Sequence, residues 1–323
     1  MIEESDESLH PVGPGRWQES WYFNAYDRQN DLFVLARVGL RFSERRMDAL
    51  VVGTLDALPA FAYPGINLPL PRDLSSLDPV SDGLRCGALT LRCREPLRHW
   101  SLHLDRPRLA MELSWEALHP PHDYRVAGGP PGIAQNHFEH TGRVSGWIRH
   151  GDRTVHVNGT GQRDKSWGVR DWSAIRGWRW ISVQFGSELS FNLWDAPGDV
   201  QSGGRRYVGG YVCRGGQVEP VIDFNARVEQ EVGDPRPVQL SIQYGQGQTL
   251  EVEGTTQGTV PLAKEGLWIE EAPATFRCRI DGVPREGVGV VELAYHVGRL
   301  GYLRRVRSIA RTVAQIAPSL LPG

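Results

Sequence analysis

Leu32-Phe33-Val34-Leu35-Ala36-Arg37-Val38-Gly39-Leu40-Arg41-Phe42 is the stretch on which the fold class turns. Leu32, Val34, Ala36, Val38, Leu40 and Phe42 alternate with a mixed face, and a period of two marks a strand with one side buried. The pattern recurs outward from here. Leu109, Met111, Leu113, Trp115 and Ala117 alternate with Ala110, Glu112, Ser114 and Glu116. Val238, Leu240, Ile242 and Tyr244 alternate with polar residues, as do Phe276, Cys278 and Ile280 with Arg277 and Arg279. Turn signals separate such runs: His150-Gly151-Asp152, Gly186-Ser187, Gly215-Gly216 and Asp281-Gly282. The template gives roughly sixteen to eighteen strand candidates, and long helical patterns are nearly absent before residue 298. Many short antiparallel strands imply an all-β sandwich or barrel architecture.

Two stretches interrupt the pattern. Pro59 to about Gly83 is rich in Pro, Gly, Asp and Ser and reads as a long loop, a lid or a crossover. His119 to Gly132 carries Pro120-Pro121 and Gly128-Gly129-Pro130-Pro131 and reads as a second loop.

The chain of 323 residues suits two domains. Hydrophobic residues make up 40% and charged residues 23%, and the net charge of −2 provides no field favouring nucleic acid. The acidic start, Met1 to Glu7, lacks the apolar core of a signal peptide, and no run of 18 apolar residues suggests a membrane span. A cytoplasmic location is the expectation. The four cysteines, Cys86, Cys93, Cys213 and Cys278, form no C-x-x-C pair and fall in strand-like segments, so they read as buried reduced thiols.

The densest chemistry lies in Gly159-Thr160-Gly161-Gln162-Arg163-Asp164-Lys165-Ser166-Trp167-Gly168-Val169-Arg170-Asp171-Trp172. Arg163-Asp164 and Arg170-Asp171 read as pairs locked by bidentate hydrogen bonds. Trp167 and Trp172 offer rigid apolar walls. Two readings stand: the floor of a pocket for an apolar ligand, or a junction pinned by ion pairs. Upstream, His137, Glu139, Thr141, Arg143 and Ser145 share one strand face. That face suits acid–base work, or is simply the solvated side of a sheet. Downstream, Trp178, Trp180, Ser182 and Gln184 share a face suited to lining a cavity.

Other chemistries find no pattern. His137, Glu139 and His140 are close in sequence, His99 and His103 share a face, and His119 and His122 flank two prolines. None reproduces a known zinc spacing, and no metal is assigned. There is no serine-hydrolase elbow, no nucleoside-triphosphate loop and no third glycine three residues after Gly161 to complete a dinucleotide-binding fingerprint, so no cofactor is expected.

Arg163-Asp164-Lys165-Ser166-Trp167-Gly168-Val169-Arg170-Asp171-Trp172 resembles the R-D-H-S-W-G-x-R-D-W signature of a bacterial group of two-domain lipocalin-like proteins. That group is related to the carotenoid 1,2-hydratase (hydroxyneurosporene synthase) and AttH-like superfamily. Plant tocopherol cyclases and fungal Diels-Alderases are related lipocalin-like proteins. Gln135 to Gly146 is similar to the group's lead-in, and Glu19-Ser20-Trp21-Tyr22-Phe23-Asn24 to its opening strand. One position departs: the group's His is Lys165 here. The resemblance implies two antiparallel β domains and an elongated apolar pocket. The domains are expected at residues 1–160 and 161–298, with the motif near their junction and a helix and tail at 299–323.

From these readings the expected function is binding of a hydrophobic, terpenoid- or polyketide-like molecule, with acid-assisted hydration, isomerisation or cyclisation. A non-catalytic carrier is the alternative. Asp164, Asp171, Glu139 and His137 are the catalytic candidates. Trp167, Trp172, Trp178, Trp180, Arg163, Arg170, Tyr22 and Asn24 are the ligand-binding candidates, the two arginines setting carboxylate orientation. The tail from Arg299 holds five Arg and no acid. Its Leu303, Val306, Ala310 and Val313 fall at helical spacing and are expected to turn inward, with residues 299–317 either packed on the β body or in peripheral contact with an anionic membrane.

Overall fold

The alternating runs become strands of two antiparallel sheets in the computed structural model, which describes residues 2–125, 135–172, 175–198, 203–228, 236–264 and 266–320. The first sheet holds β1 (Trp17–Asp27), β2 (Leu32–Arg41), β3 (Arg46–Leu55), β4 (Leu58–Pro69), β5 (Leu84–Cys86), β6 (Leu89–Glu95), β7 (His99–Arg106), β8 (Leu109–Ala117), β9 (His122–Asp123), β10 (Asn136–His150) and β11 (Arg153–Val169). Its order is β4-β3-β2-β1-β11-β10-β8-β7-β6-β5, with β9 beside β10. The second holds β12 (Gly177–Phe185), β13 (Leu189–Ala196), β14 (Tyr207–Arg214), β15 (Gln217–Val228), β16 (Pro237–Tyr244), β17 (Gln248–Thr256), β18 (Val260–Lys264), β19 (Leu267–Ile280) and β20 (Val283–His296). Its order is β17-β16-β15-β14-β13-β12-β20-β19-β18. The far half of β19 also pairs with β17, which closes this sheet into a ring. The fold is thus the all-β, two-sheet, lipocalin-like architecture anticipated, and the four turn signals join β10 to β11, β12 to β13, β14 to β15 and β19 to β20.

Each barrel-like sheet is filled by its own side chains. Trp21, Phe23, Trp100 and Trp115 pack inside the first, leaving a void of about 10 Å³. Ile181, Val183, Phe191 and Phe276 pack inside the second. All four cysteines are free, buried thiols in strands. A third apolar cluster lies outside both barrels, where Tyr22, Tyr26, Phe33 and Leu35 meet Trp180, Trp194, Val288 and Val290. This seam explains why β2 is buried on both faces: its regular face fills the barrel and its mixed face meets the second sheet.

Two expectations about loops require correction. Residues 59–83 are not a single loop, because β4 runs from Leu58 to Pro69. Its prolines are tolerated at the end of the sheet order, where strands lack a partner on one side. The first sheet's last strand, β11, runs through the motif as far as Val169, and the second sheet begins with β12 at Gly177. The region of residues 119–132 includes the two-residue strand β9, and its part beyond residue 125 lies outside the described residues.

The helix α1 (Arg299–Leu320) forms as expected, but with the opposite face inward. Leu303, Val306 and Val313 are 65%, 43% and 49% exposed, and Ala310 is exposed as well. The face that packs carries Arg305, Ile309, Thr312, Ile316 and Ser319. Ser319 Oγ accepts from Ala62 N at 3.0 Å and lies 3.2 Å from Ala62 O. Arg305 donates to Tyr295 OH at 2.9 Å. The end strand β4 carries unpaired backbone groups, so a helix face with hydroxyls satisfies it better than an aliphatic one. No helix among the described residues is long and apolar enough to cross a membrane.

Candidate functional site

Strand register builds the site. On the first sheet, Arg37, Tyr22, Asp164 and Glu139 stand opposite one another across β2, β1, β11 and β10. The next row is Gly39, Ser20, Ser166 and His137. Alternate residues share a face, so these rows look into the seam together with Asn24, Thr141 and Gln162. On the second sheet, Glu271, Glu292, Trp180 and Trp194 form the facing row across β19, β20, β12 and β13. The rows touch where Trp180 Nε1 donates to Glu139, at 2.9 Å from Oε1 and 3.1 Å from Oε2.

Glu139 has no exposure. Besides Trp180 it accepts from Gln162 Nε2 at 2.9 Å, and His137 Nε2 lies 3.0 Å from Oε1 and 3.7 Å from Asp164 Oδ2. The His137 ring stacks on Tyr124, with centroids 4.7 Å apart. Burial opposes the imidazolium, but the Asp164 and Glu139 carboxyl groups close to the ring outweigh it and raise the His137 pKa to about 9. One ligand atom each from His137, Glu139 and Asp164 lies within 4.8 Å of the others, a donor set able to hold a divalent cation. Sequence spacing could not reveal it, because the ligands come from two strands.

Glu271 and Glu292 form the other electrostatic centre. Burial, then the Glu292 charge and hydrogen bonding to Glu292, push the Glu271 carboxyl well above the usual carboxylate range. Burial raises Glu292 as well, although it accepts from Trp178 Nε1. The Tyr22 hydroxyl faces Glu271 and itself accepts from Asn24 Nδ2 at 3.1 Å. Around this pair several buried polar atoms have no protein hydrogen bond: Glu271 Oε2, Asp164 Oδ1, Ser182 Oγ, Gln184 Nε2 and Asn192 Nδ2. Native interiors rarely leave such atoms unpaired, and the indole nitrogens of Trp21, Trp100 and Trp115 inside the first barrel share the condition. Chemically the seam offers a carboxyl held well above its ordinary range, an imidazole raised above its own between two further carboxyls, and indole walls. A separate cleft of about 300 Å³ lined by Arg28, Glu253, Arg277 and Glu286 is charged, and Glu286 already pairs with both arginines, so it is no apolar site.

The structure brings together His137, Glu139, Asp164, Tyr22, Asn24 and Trp180, with Trp178 beside them at Glu292. It separates others. Arg163 and Asp164 are strand neighbours and point to opposite faces, so the expected pair does not form. Arg163 enters the first barrel, fully buried, where it bonds Glu7 at 2.5 and 2.7 Å and lies over Trp100. It therefore does not orient Asp164. Lys165 also faces inward and pairs with buried Glu19. Trp167 stacks on His10, centroids 4.0 Å apart, on that same inner side. Asp171 is 46% exposed and pairs with Arg16 at 3.3 Å rather than with Arg170. Trp172 donates to Gln18 Oε1 at 3.0 Å, at the rim near Trp178. Arg170 is buried and donates to Ser166 Oγ at 2.8 Å. Glu271, Glu292 and Arg37 were missed. Their signal was a charge inside an otherwise apolar strand: Leu267-Trp268-Ile269-Glu270-Glu271-Ala272, and Val290-Val291-Glu292-Leu293.

Solved structures share this architecture. Kievitone hydratase from Nectria haematococca superposes with a TM-score of 0.61 at 14% identity, over 85% of this chain and 88% of that one. An AttH-like protein from Nitrosomonas europaea gives 0.59 at 16%, over 90% and 100%. CghA in complex with Sch210972 gives 0.64 at 13%, over 87% and 89%. At these identities the likeness is one of fold. No curated protein matches the sequence. A family model does, across residues 3–297, and the chain belongs to that family, described as Domain of unknown function (DUF7064).

Proposed function

We propose that the protein takes a hydrophobic small molecule, of terpenoid or polyketide type, into the seam between its sheets and catalyses an acid-assisted hydration, isomerisation or cyclisation there. The observation that carries this reading is Glu271: a buried carboxyl beside a second carboxyl, its proton affinity raised by burial and by the Glu292 charge, facing indole walls. Glu271 would give its proton to an alkene or enol carbon. The cation formed would be stabilised by the faces of Trp180 and Trp178 and by the carboxylates of Glu139 and Asp164. It would then be captured by water, with the water's proton passing to Asp164, by a second alkene of the substrate, or by loss of a neighbouring proton. Asp171 and Trp167 have no part in this scheme, given their distance from the seam. The fold shared with kievitone hydratase and with CghA, solved with Sch210972, supports the class of reaction at a coarse level.

The test is quenching of tryptophan fluorescence by a panel of prenyl and polyketide-type compounds, followed by mass analysis of what each bound compound becomes. Wild type is expected to bind and convert at least one. Glu271→Gln is expected to bind it with similar affinity and to convert it at least about a hundredfold more slowly, the usual weight of general acid catalysis. Binding without conversion by wild type would favour the carrier.

We further infer that the outward face of α1, with Leu300 and Leu303 75% and 65% exposed beside exposed Arg311, is a peripheral contact for an anionic bilayer.

A further inference from the structure

Inward-turned arginines of the described residues mostly have a carboxylate: buried Arg163 has Glu7, buried Arg236 has Glu270 and half-buried Arg41 has Asp48. Half-buried Arg37 and buried Arg170 differ. Arg170, nine-tenths buried, bonds a neutral hydroxyl, Ser166 Oγ, at 2.8 Å. That hydroxyl lies 3.0 Å from Ser20 Oγ. Ser20 and Ser166 share their row with Gly39, and the Arg37 guanidinium lies back over Gly39: a Cβ there would meet its Nη1 at 2.7 Å and its Nη2 at 2.9 Å. Arg37 has no hydrogen bond or ion pair among the described residues and feels carboxylates only across space. Two guanidiniums and two hydroxyls therefore converge beside Tyr22 and Asp164, with no carboxylate among the described residues bonded to any of them.

Of the acids whose field reaches Arg37, Asp48 is taken by Arg41 at 3.0 Å, and Asp164 and Glu292 act on Arg37 only across space. A buried guanidinium without an anion is costly, and planar forks match carboxylate geometry.

We propose that Arg37 and Arg170, with Ser20 and Ser166, form an anion seat at one end of the seam, so that the ligand is an organic acid: an apolar body against Trp178 and Trp180 and a carboxylate or enolate head on the two guanidiniums. This rests on the seam being the ligand site, as proposed above.

Tryptophan quenching by decanoate and by 1-decanol, chains of equal length with and without the anion, tests it at neutral pH. Wild type is expected to prefer decanoate about tenfold, the size of one charge-assisted hydrogen bond. Arg37→Gln is expected to bring the preference close to one and leave decanol binding unchanged. Gly39→Ala keeps both charges but displaces the Arg37 fork, and is expected to reduce the preference too; it also covers the case in which Arg37→Gln folds poorly. Decanol binding as tightly as decanoate in wild type, or a preference surviving both substitutions, would overturn the seat while leaving the seam intact. If neither compound quenches, the seam reading fails and the seat falls with it.

Discussion

Glu271 carries a folded-state pKa raised above its ordinary 4.5. A raised carboxyl binds more protons folded than unfolded, so its contribution to stability is present at low pH and is lost as pH rises through the folded value. Glu271→Gln, which keeps the shape and removes the charge, is therefore expected to melt higher than wild type in alkaline buffer. The gap should close as the buffer approaches pH about 4; thermal scans across pH check this, and a constant gap would contradict it. His137 runs in the same direction for the opposite reason, because here the charged form is favoured. With its value raised from 6.5 to about 9, the imidazolium stabilises fully below pH 6.5 and that contribution fades towards pH 9. His137→Gln is expected to lose on the order of 3 kcal/mol at pH about 6, and much less above pH about 9. Equal losses at both ends would show that His137 is not charged in the seam. Of these residues, His137, Glu139 and Asp164 were legible in the sequence because a polar face on a strand is visible as alternation. Glu271 and Glu292 were not, because their strands read as core, and only partners brought from another sheet make a lone buried carboxyl meaningful.

β11 is the element on which the molecule turns. Its 17 residues serve two environments at once. Gln162, Asp164 and Ser166 face the seam, while Arg163, Lys165 and Trp167 fill the mouth of the first barrel with the N-terminal residues Glu7, His10 and Glu19. The motif's Arg-Asp dipeptides suggested pairs, but a strand throws neighbours apart, and the partners of Arg163 and Lys165 lie over a hundred residues earlier, beyond any local reading. Arg163→Ala leaves Glu7 buried without its cation and is expected to cost about 3–5 kcal/mol, read as a lowered denaturation midpoint. Glu7→Gln with Arg163→Met is expected to recover most of that loss; failure of the double variant to recover would mean the barrel mouth needs the charges themselves. The helix α1 was legible as an element but not in its orientation, since apolar spacing says which residues share a face and not which face the sheet edge will accept. Its outward Leu300, Leu303 and Val306 are expected to sediment the protein with anionic vesicles at low salt and to release it at high salt. Neutral vesicles binding equally well, or no binding at all, would remove the membrane from the account.

At the scale of the whole chain, two closed or nearly closed sheets fill their own interiors and bury a third apolar cluster in the seam between them. Period-two patterning and turn residues were enough to read two antiparallel β bodies, because those signals are local. The seam was not readable, since it is made by surfaces that look polar or mixed along each strand and become buried only when the sheets meet. The interior of the first barrel is packed around a void of about 10 Å³, and the opposed rows of the two sheets bring carboxyls, an imidazole, guanidiniums and indoles to the seam, where the proposed function places the ligand. The account stands or falls on one of those groups being a neutral carboxylic acid. Infrared spectra of wild type at neutral pH, with hydrogen–deuterium exchange to identify the carbonyl stretch of a protonated carboxyl, measure it without any ligand. The prediction is a protonated-carboxyl band in wild type that disappears in Glu271→Gln. A wild-type spectrum without such a band, or one that Glu271→Gln leaves unchanged, would contradict the proton donor on which the proposed function rests.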